Sequence, residues 1–187
     1  KIVAGELLTA LALDEHTSHN PSKIATTATK VDGGYSLNGS KTFVLDGHIA
    51  DLLIVAARTS GETDGEQGIS LFLVDANVKG LSVARTIMVD SRNSSNIQFN
   101  NVVVAEDALL GELDQGFKGL DSVLDIARIG IAAEMLGSMQ AVFESIVEFL
   151  KQREQFGVLI GSFQGLQHRA AEMYSEIELC KSAVRAA

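Results

Sequence analysis

From Leu120 to Leu150 the large apolar residues return every three or four positions, and no other stretch constrains the fold as much. The series is Leu120, Leu124, Ala127, Ile131, Met135, Met139, Val142, Ile146 and Leu150. That spacing is one face of an α-helix sustained for about eight turns. Between Ile126 and Leu136 the opposite face is also mostly Ala, Gly and Ile, so the middle of the helix is predicted to be buried on nearly all sides. Gly130 and Gly137 each weaken a helix by about 1 kcal/mol relative to Ala, which implies close approach by another backbone. The run Arg153-Glu-Gln-Phe156-Gly157 reads as a helix stop, with Gly157 as terminator and Arg153 as a cation in the last turn. Phe163 and Gln164 then open a second helix carried by Leu166, Ala170, Met173, Ile177, Cys180 and Val184. Residues 114–187 are thus predicted to be two antiparallel helices joined at a defined corner.

Residues 1–113 have a different texture. Short apolar and β-branched runs alternate with turn signals: Leu7–Leu13, Ala25–Val31, Tyr35–Leu37, Lys41–Leu45, Leu52–Arg58, Ile69–Val74, Leu81–Ile87 and Ile97–Val104. Turns are expected at Asp32-Gly33-Gly34 and Asp46-Gly47, and Asn38-Gly39 reads as a tight hairpin. Ser60–Gly68 reads as a mobile polar loop. No helical segments of 10–15 residues separate the strands, which argues against a parallel βαβ sheet. The fold class expected is α+β and multi-domain. An antiparallel β-barrel or sandwich (1–113) is followed by an incomplete up-down helical bundle (114–187).

Composition narrows function by exclusion. The 187 residues carry a net charge of −9, which leaves no basic stripe for nucleic acid. Asp121, Asp125, Arg128 and Glu134 interrupt the long helix, and no membrane span is expected. The single cysteine, Cys180, lies on an apolar helix face, reads as core, and suits a reducing, cytoplasmic setting. The chain opens Lys-Ile-Val-Ala-Gly-Glu without a leader and closes in unfinished helix, so a fragment or a divided gene is expected.

Asp14-Glu15-His16-x-x-His19 offers oxygen and nitrogen ligands close together. With no further His or Cys nearby, a solvated polar loop is the stronger reading, and no metal is expected. Ser18 with either histidine lacks a nucleophile elbow. His48 and His168 read as ordinary surface positions.

Two segments carry more. One is Tyr35-Ser-Leu37-Asn38-Gly39-Ser-Lys41-Thr-Phe43-Val44-Leu45-Asp46-Gly47-His-Ile-Ala50-Asp51. The other is Arg153-x-x-Phe156-Gly157-x-x-Ile160-x-x-Phe163-Gln164, preceded by Leu124-Asp125-x-x-Arg128. In this order and separation, with Gly111-x5-Phe117 and the closing Arg185-Ala-Ala, the chain resembles the acyl-CoA dehydrogenase family of flavoproteins. The resemblance covers nearly the whole chain, as the family's middle β-domain and the first two helices of its C-terminal bundle. It implies FAD, an acyl-CoA substrate, α,β-desaturation, an electron-transfer acceptor, and a homo- or hetero-oligomer. In that chemistry a carboxylate takes the α-proton while the β-hydrogen leaves as hydride to the flavin. The resemblance assigns Phe43, Val44 and Leu45 to the flavin ring, Arg153 to the FAD pyrophosphate of a neighbouring subunit, and Phe156 and Gln164 to the adenosine side. Asp125 and Arg128 match positions near the pantetheine arm.

Departures accompany the match. The family's Trp is Phe43 here, and its flavin-bonding Thr or Ser is Leu45. The family's Thr-Glu-Pro-Gly-x-Gly-Ser-Asp loop aligns with Asp14–Pro21, where only Glu15 is kept. The catalytic glutamate lies in most members beyond the end of this chain. In a minority it lies on the long helix, at what is here Ala127, so no catalytic residue is assigned. Two other roles stay open: a non-catalytic assembly subunit or fragment, and a flavin-dependent oxidase or monooxygenase on the same scaffold.

Overall fold

The computed structural model describes residues 1–187, which divide into two units, Lys1–Asp121 and Ser122–Ala187. The first holds strands β1 (Thr9–Ala12), β2 (Thr27–Val31), β3 (Gly34–Leu45), β4 (Leu52–Arg58), β5 (Ile69–Asp75), β6 (Leu81–Ile87), β7 (Asn93–Ala105) and β8 (Leu109–Leu110). They form one eight-stranded sheet in the order β6-β7-β3-β2-β4-β5-β8, with β1 added on β4.

The sheet is mixed rather than purely antiparallel. β1 runs parallel to β4, from Thr9 opposite Leu52 to Ala12 opposite Val55. β2 meets β4 in parallel at Thr27 and Arg58. A parallel neighbour needs a crossover. Here the β2–β3 hairpin supplies it, so the absence of intervening helices did not exclude a parallel pair.

Alternation along the strands builds the core. Leu53, Val55 and Ala57 of β4, Phe72 and Val74 of β5, and Ile97 and Phe99 of β7 are all fully or almost fully buried. Tyr35 stacks obliquely on Phe72, with ring centroids 5.0 Å apart. Each such Leu, Val or Phe contributes about 1.5–3 kcal/mol when fully buried.

The alternation changes phase twice between β3 and β7, and each change marks a bulge. The register slips between Leu37 and Gly39, and again between Lys41 and Val44. At the first slip β7 carries the extra residue. Asn101 takes φ of 50°, and its backbone N–H donates to Asn38 Oδ1 at 2.8 Å. Asn38-Gly39 is therefore not a hairpin. Tyr35–Leu37 and Lys41–Leu45 belong to one continuous strand, and the hairpin turn is Asp32-Gly33. Gly39 has φ of 145°, and a Cβ there would lie 2.5 Å from Thr26 Oγ1. The glycine serves close approach to the neighbouring strand instead of a turn.

The loop at 60–68 is anchored, contrary to expectation. Arg58, nearly buried, donates Nη1 to the carbonyls of Gly65 (3.0 Å) and Gln67 (2.6 Å) and Nη2 to those of Ser22 (3.1 Å) and Thr63 (2.9 Å), and its Nε reaches Ile24 (3.2 Å). Asp114 clasps the approach to the long helix: its carboxylate accepts from Thr59 Oγ1 (2.6 Å) and Ser60 Oγ (2.9 Å), and its N–H donates to Ser70 Oγ at 2.7 Å.

The long helix α1 spans Gly116–Gln152, and α2 spans Gln164–Ala186. Phe143 lies against Tyr174 at 6.0 Å between centroids, nine residues from the end of one helix and ten past the start of the other, as an antiparallel pair requires. The corner between them differs from expectation. α1 stops at Gln152, and Glu154–Gln155 (β9) pairs with Val158–Leu159 (β10) in a small hairpin. Phe156 (φ 56°) and Gly157 (φ 77°) are its two turn residues, so Gly157 turns a hairpin rather than ending the helix.

Within the chain only Gly116 and Leu120 of α1 are buried, and Ile126, Ile131, Met135 and Val142 stand largely exposed. By length and composition alone α1 is apolar enough to cross a membrane, with a mean hydropathy of 1.2 over its most apolar window. That departs from the reading that its charges forbid a span, because Glu134 is the only charge between Ile129 and Phe143.

Candidate functional site

The second bulge shapes the candidate site of the sheet unit. Thr42 and Phe43 together oppose Asn96, which forces Phe43 into a left-handed conformation at φ of 51°. Bulges re-aim side chains in this way, and they recur beside active sites. Phe43 and Leu45 emerge 52% and 58% exposed, forming an apolar ledge on β3. Val44 between them is buried in the core, so it can offer a ligand only backbone atoms. Its carbonyl already accepts Ser95 Oγ at 3.3 Å.

The segment 14–21 runs beside this ledge, fastened by groups that the sequence reading passed over. Lys41 is fully buried, and its Nζ donates to Glu15 Oε1 at 2.7 Å and to the Leu13 carbonyl at 3.0 Å. Glu15 also accepts the backbone N–H groups of Ala25 (2.7 Å) and Thr26 (2.9 Å). Thr42 N–H donates to the Asp14 carbonyl at 2.7 Å, and Thr42 Oγ1 donates to that of His16 at 3.2 Å. Burial pushes the Lys41 ammonium down to about 8, partly opposed by Glu15 and Asp14 and assisted by the charge of Arg58. Burial also pushes the Glu15 carboxyl up, but Lys41 and the bonds from Lys41 and Thr26 outweigh it. The net effect holds Glu15 below the usual carboxylate range.

His19 Nδ1 lies 3.0 Å from both carboxylate oxygens of Asp14. His16 stands exposed apart from this pair, and no three metal-ligating side chains gather anywhere in the molecule. His48 is half-buried, not a surface residue, and its buried Nδ1 has no partner. His168 is exposed, and Cys180 is a half-buried free thiol.

A separate candidate set lies in the helical unit. The hairpin after α1 presents Arg153 and Phe156 outward, with Phe156 93% exposed and edge-on to Phe163 at 6.3 Å. Gln164 is the first residue of α2. Asp125 and Arg128 pair one helical turn apart on α1, and Ala127 between them is exposed and carries no carboxylate.

As a test of fit to a flavin dinucleotide, each unit taken by itself offers one element: the sheet unit an apolar, outward-aimed ledge for a ring, the helical unit an exposed guanidinium for a diphosphate. The fit is incomplete at Leu45, which has no hydroxyl to donate, and along 14–21, which has no glycine.

A mixed sheet bulged beside an anchored loop is followed by a long antiparallel helix pair with a hairpin corner, each in its own unit. The acyl-CoA dehydrogenase middle domain matches residues 10–102, and the C-terminal domain of the same enzymes matches residues 114–187. The chain belongs to the acyl-CoA dehydrogenase family. It is 37% identical to an acyl-CoA dehydrogenase of Bacillus subtilis, over 98% of this chain and 49% of that protein. Among solved structures it superposes on butyryl-CoA dehydrogenase from Megasphaera elsdenii with TM-score 0.87 and 34% identity, covering 99% of this chain and 49% of that one. An FAD complex of PigA gives TM-score 0.90 at 29% identity, over 98% of this chain and 49% of that one. A structure described as an electron transferring flavoprotein of Acidaminococcus fermentans gives 0.82 at 32%, over 97% and 49%. The chain spans about half the length of the curated relatives it matches.

Proposed function

We propose that the protein carrying this chain oxidises an acyl-CoA thioester with FAD and passes the electrons to a separate acceptor. FAD, when bound, supplies the acceptor for the hydrogen lost from the acyl β-carbon. The chain's own part is positioning. Phe43 and Leu45 offer an apolar ledge for the ring, and Glu15, Lys41 and Thr42 hold the adjoining loop. Arg153 offers a planar fork of donors to a diphosphate, with Phe156 and Gln164 on the same hairpin and helix start. Asp125 and Arg128 lie one turn apart where the thioester's arm would run. No residue of the chain is assigned as the base, and we place that group outside these 187 residues. A cytoplasmic site of action belongs to the same proposal.

One observation carries the reading. The two-residue hairpin at Phe156-Gly157, with both residues at positive φ, leaves Arg153 and Phe156 exposed, with Phe156 resting edge-on against Phe163. Arg153→Ala in the full-length protein is expected to weaken FAD binding at least about tenfold, the loss of a charge-assisted pair of bonds. Unchanged affinity would remove the assignment. Ala127 and Leu45 favour a second reading, an assembly subunit without turnover. Loss of flavin colour on adding acyl-CoA separates the two, since only a dehydrogenase bleaches it.

A further inference from the structure

We infer that the buried Glu15–Lys41 pair is a positioning device for the ligand ledge: it holds the backbone of residues 13–16 on Lys41 and Thr42 and so sets where the 14–21 loop stands relative to Phe43 and Leu45. The inference rests on the proposed flavin site. It starts from an oddity of the core. Lys41 is the one charged side chain that is fully buried, on a strand whose other inward residues include Tyr35, Leu37 and Val44. A buried ion pair is seldom more stabilising than apolar side chains of the same size, so fold stability alone does not select a lysine there. What a lysine provides is direction. Two of its three donors reach Glu15 and the Leu13 carbonyl, while Glu15 gathers the N–H groups of Ala25 and Thr26.

Beyond the pair, the loop is held by its own His19–Asp14 and Asn20 contacts, which do not tie it to β3. Residues 16–20 are exposed and belong to no strand or helix. Their only link to β3 beyond the pair is through Thr42, which immediately precedes Phe43. The family loop at this place is glycine-rich, and here it is not, so its path must be fixed by side chains. Lys41 faces Glu15 and Asp14 from the loop and Arg58 from β4, and with an ammonium titrating near 8 the anchor weakens as pH rises through that value.

The test uses Glu15→Gln with Lys41→Met, a neutral pair of similar volume, in the full-length protein. Hydrogen exchange of the 14–21 segment is expected to quicken at least about tenfold while β5 and β7 keep their protection. FAD affinity is expected to fall by a similar factor. In the unaltered protein that affinity should also decline through about pH 8, a step the double variant lacks. A folded variant with unchanged loop exchange, or one that keeps the pH step, overturns the inference. If the double variant does not fold, Glu15→Asp, which keeps both charges and draws the carboxylate back by one methylene, is read by loop exchange and FAD affinity alone, since it keeps the Lys41 titration: faster exchange with weaker binding supports the inference, and unchanged exchange overturns it. Failure of the unaltered protein to take up FAD would defeat the proposed function, and loop exchange would still decide the positioning role.

Discussion

Glu15 and Lys41 titrate against each other's needs, and the signs of their pH effects differ. The folded state holds the Glu15 carboxyl below its ordinary value of 4.5, so it favours the ionised form. The stability this contributes is present above 4.5 and is lost as pH falls through the lower folded value. Lys41 is depressed from 10.5 to about 8. Between those values the unfolded chain binds the extra proton, so this lysine makes stability rise with pH across that window. Thermal melts should therefore drop in acid, and Glu15→Gln should flatten that acid limb. An equally steep limb in the variant would show that other carboxylates carry it. Such a buried pair is hard to read in advance. Lys41 sits at an inward-facing position of β3, but a lysine in a strand is normally taken as solvated, and its partner lies 26 residues away.

Strands and helices were legible where periodicity was strong, and misread where a bulge broke it. Phe99 and Val102 are both inward although three residues apart, which betrays the extra residue at Asn101. The same phase change between Lys41 and Val44 marks the bulge that turns Phe43 outward. Asn38-Gly39 imitated a hairpin because the dipeptide suits either a turn or a bulge, and only the strand opposite decides. Arg58 hid the anchoring of 60–68, since its acceptors are backbone carbonyls that no side-chain pattern reveals. Two glycines make a paired prediction at this scale. Gly157→Ala meets nothing within 4 Å and bears only left-handed strain, a cost of about 1 kcal/mol. Gly39→Ala drives a Cβ to 2.7 Å from Thr26 Cα, and should cost about 3 kcal/mol by overpacking and strain. Denaturant melts that rank the two the other way would contradict the close-approach role of Gly39.

For the whole molecule, the outstanding feature is a 37-residue helix whose apolar residues the chain itself does not cover. A helix apolar on several faces must be buried somewhere. These 187 residues prepared alone are expected to associate, and Ile131→Glu with Met135→Glu to reduce the association. Sedimentation velocity reads this directly, and a monodisperse monomer with both residues unaltered would contradict it. In the proposed function the bulged ledge on β3 and the Arg153 corner each serve a flavin. The most direct measurement is an absorbance spectrum of the full-length protein after incubation with FAD and desalting. Flavin bands should survive the column and fade when acyl-CoA is added without air. A colourless protein, folded and correctly assembled, would contradict the account.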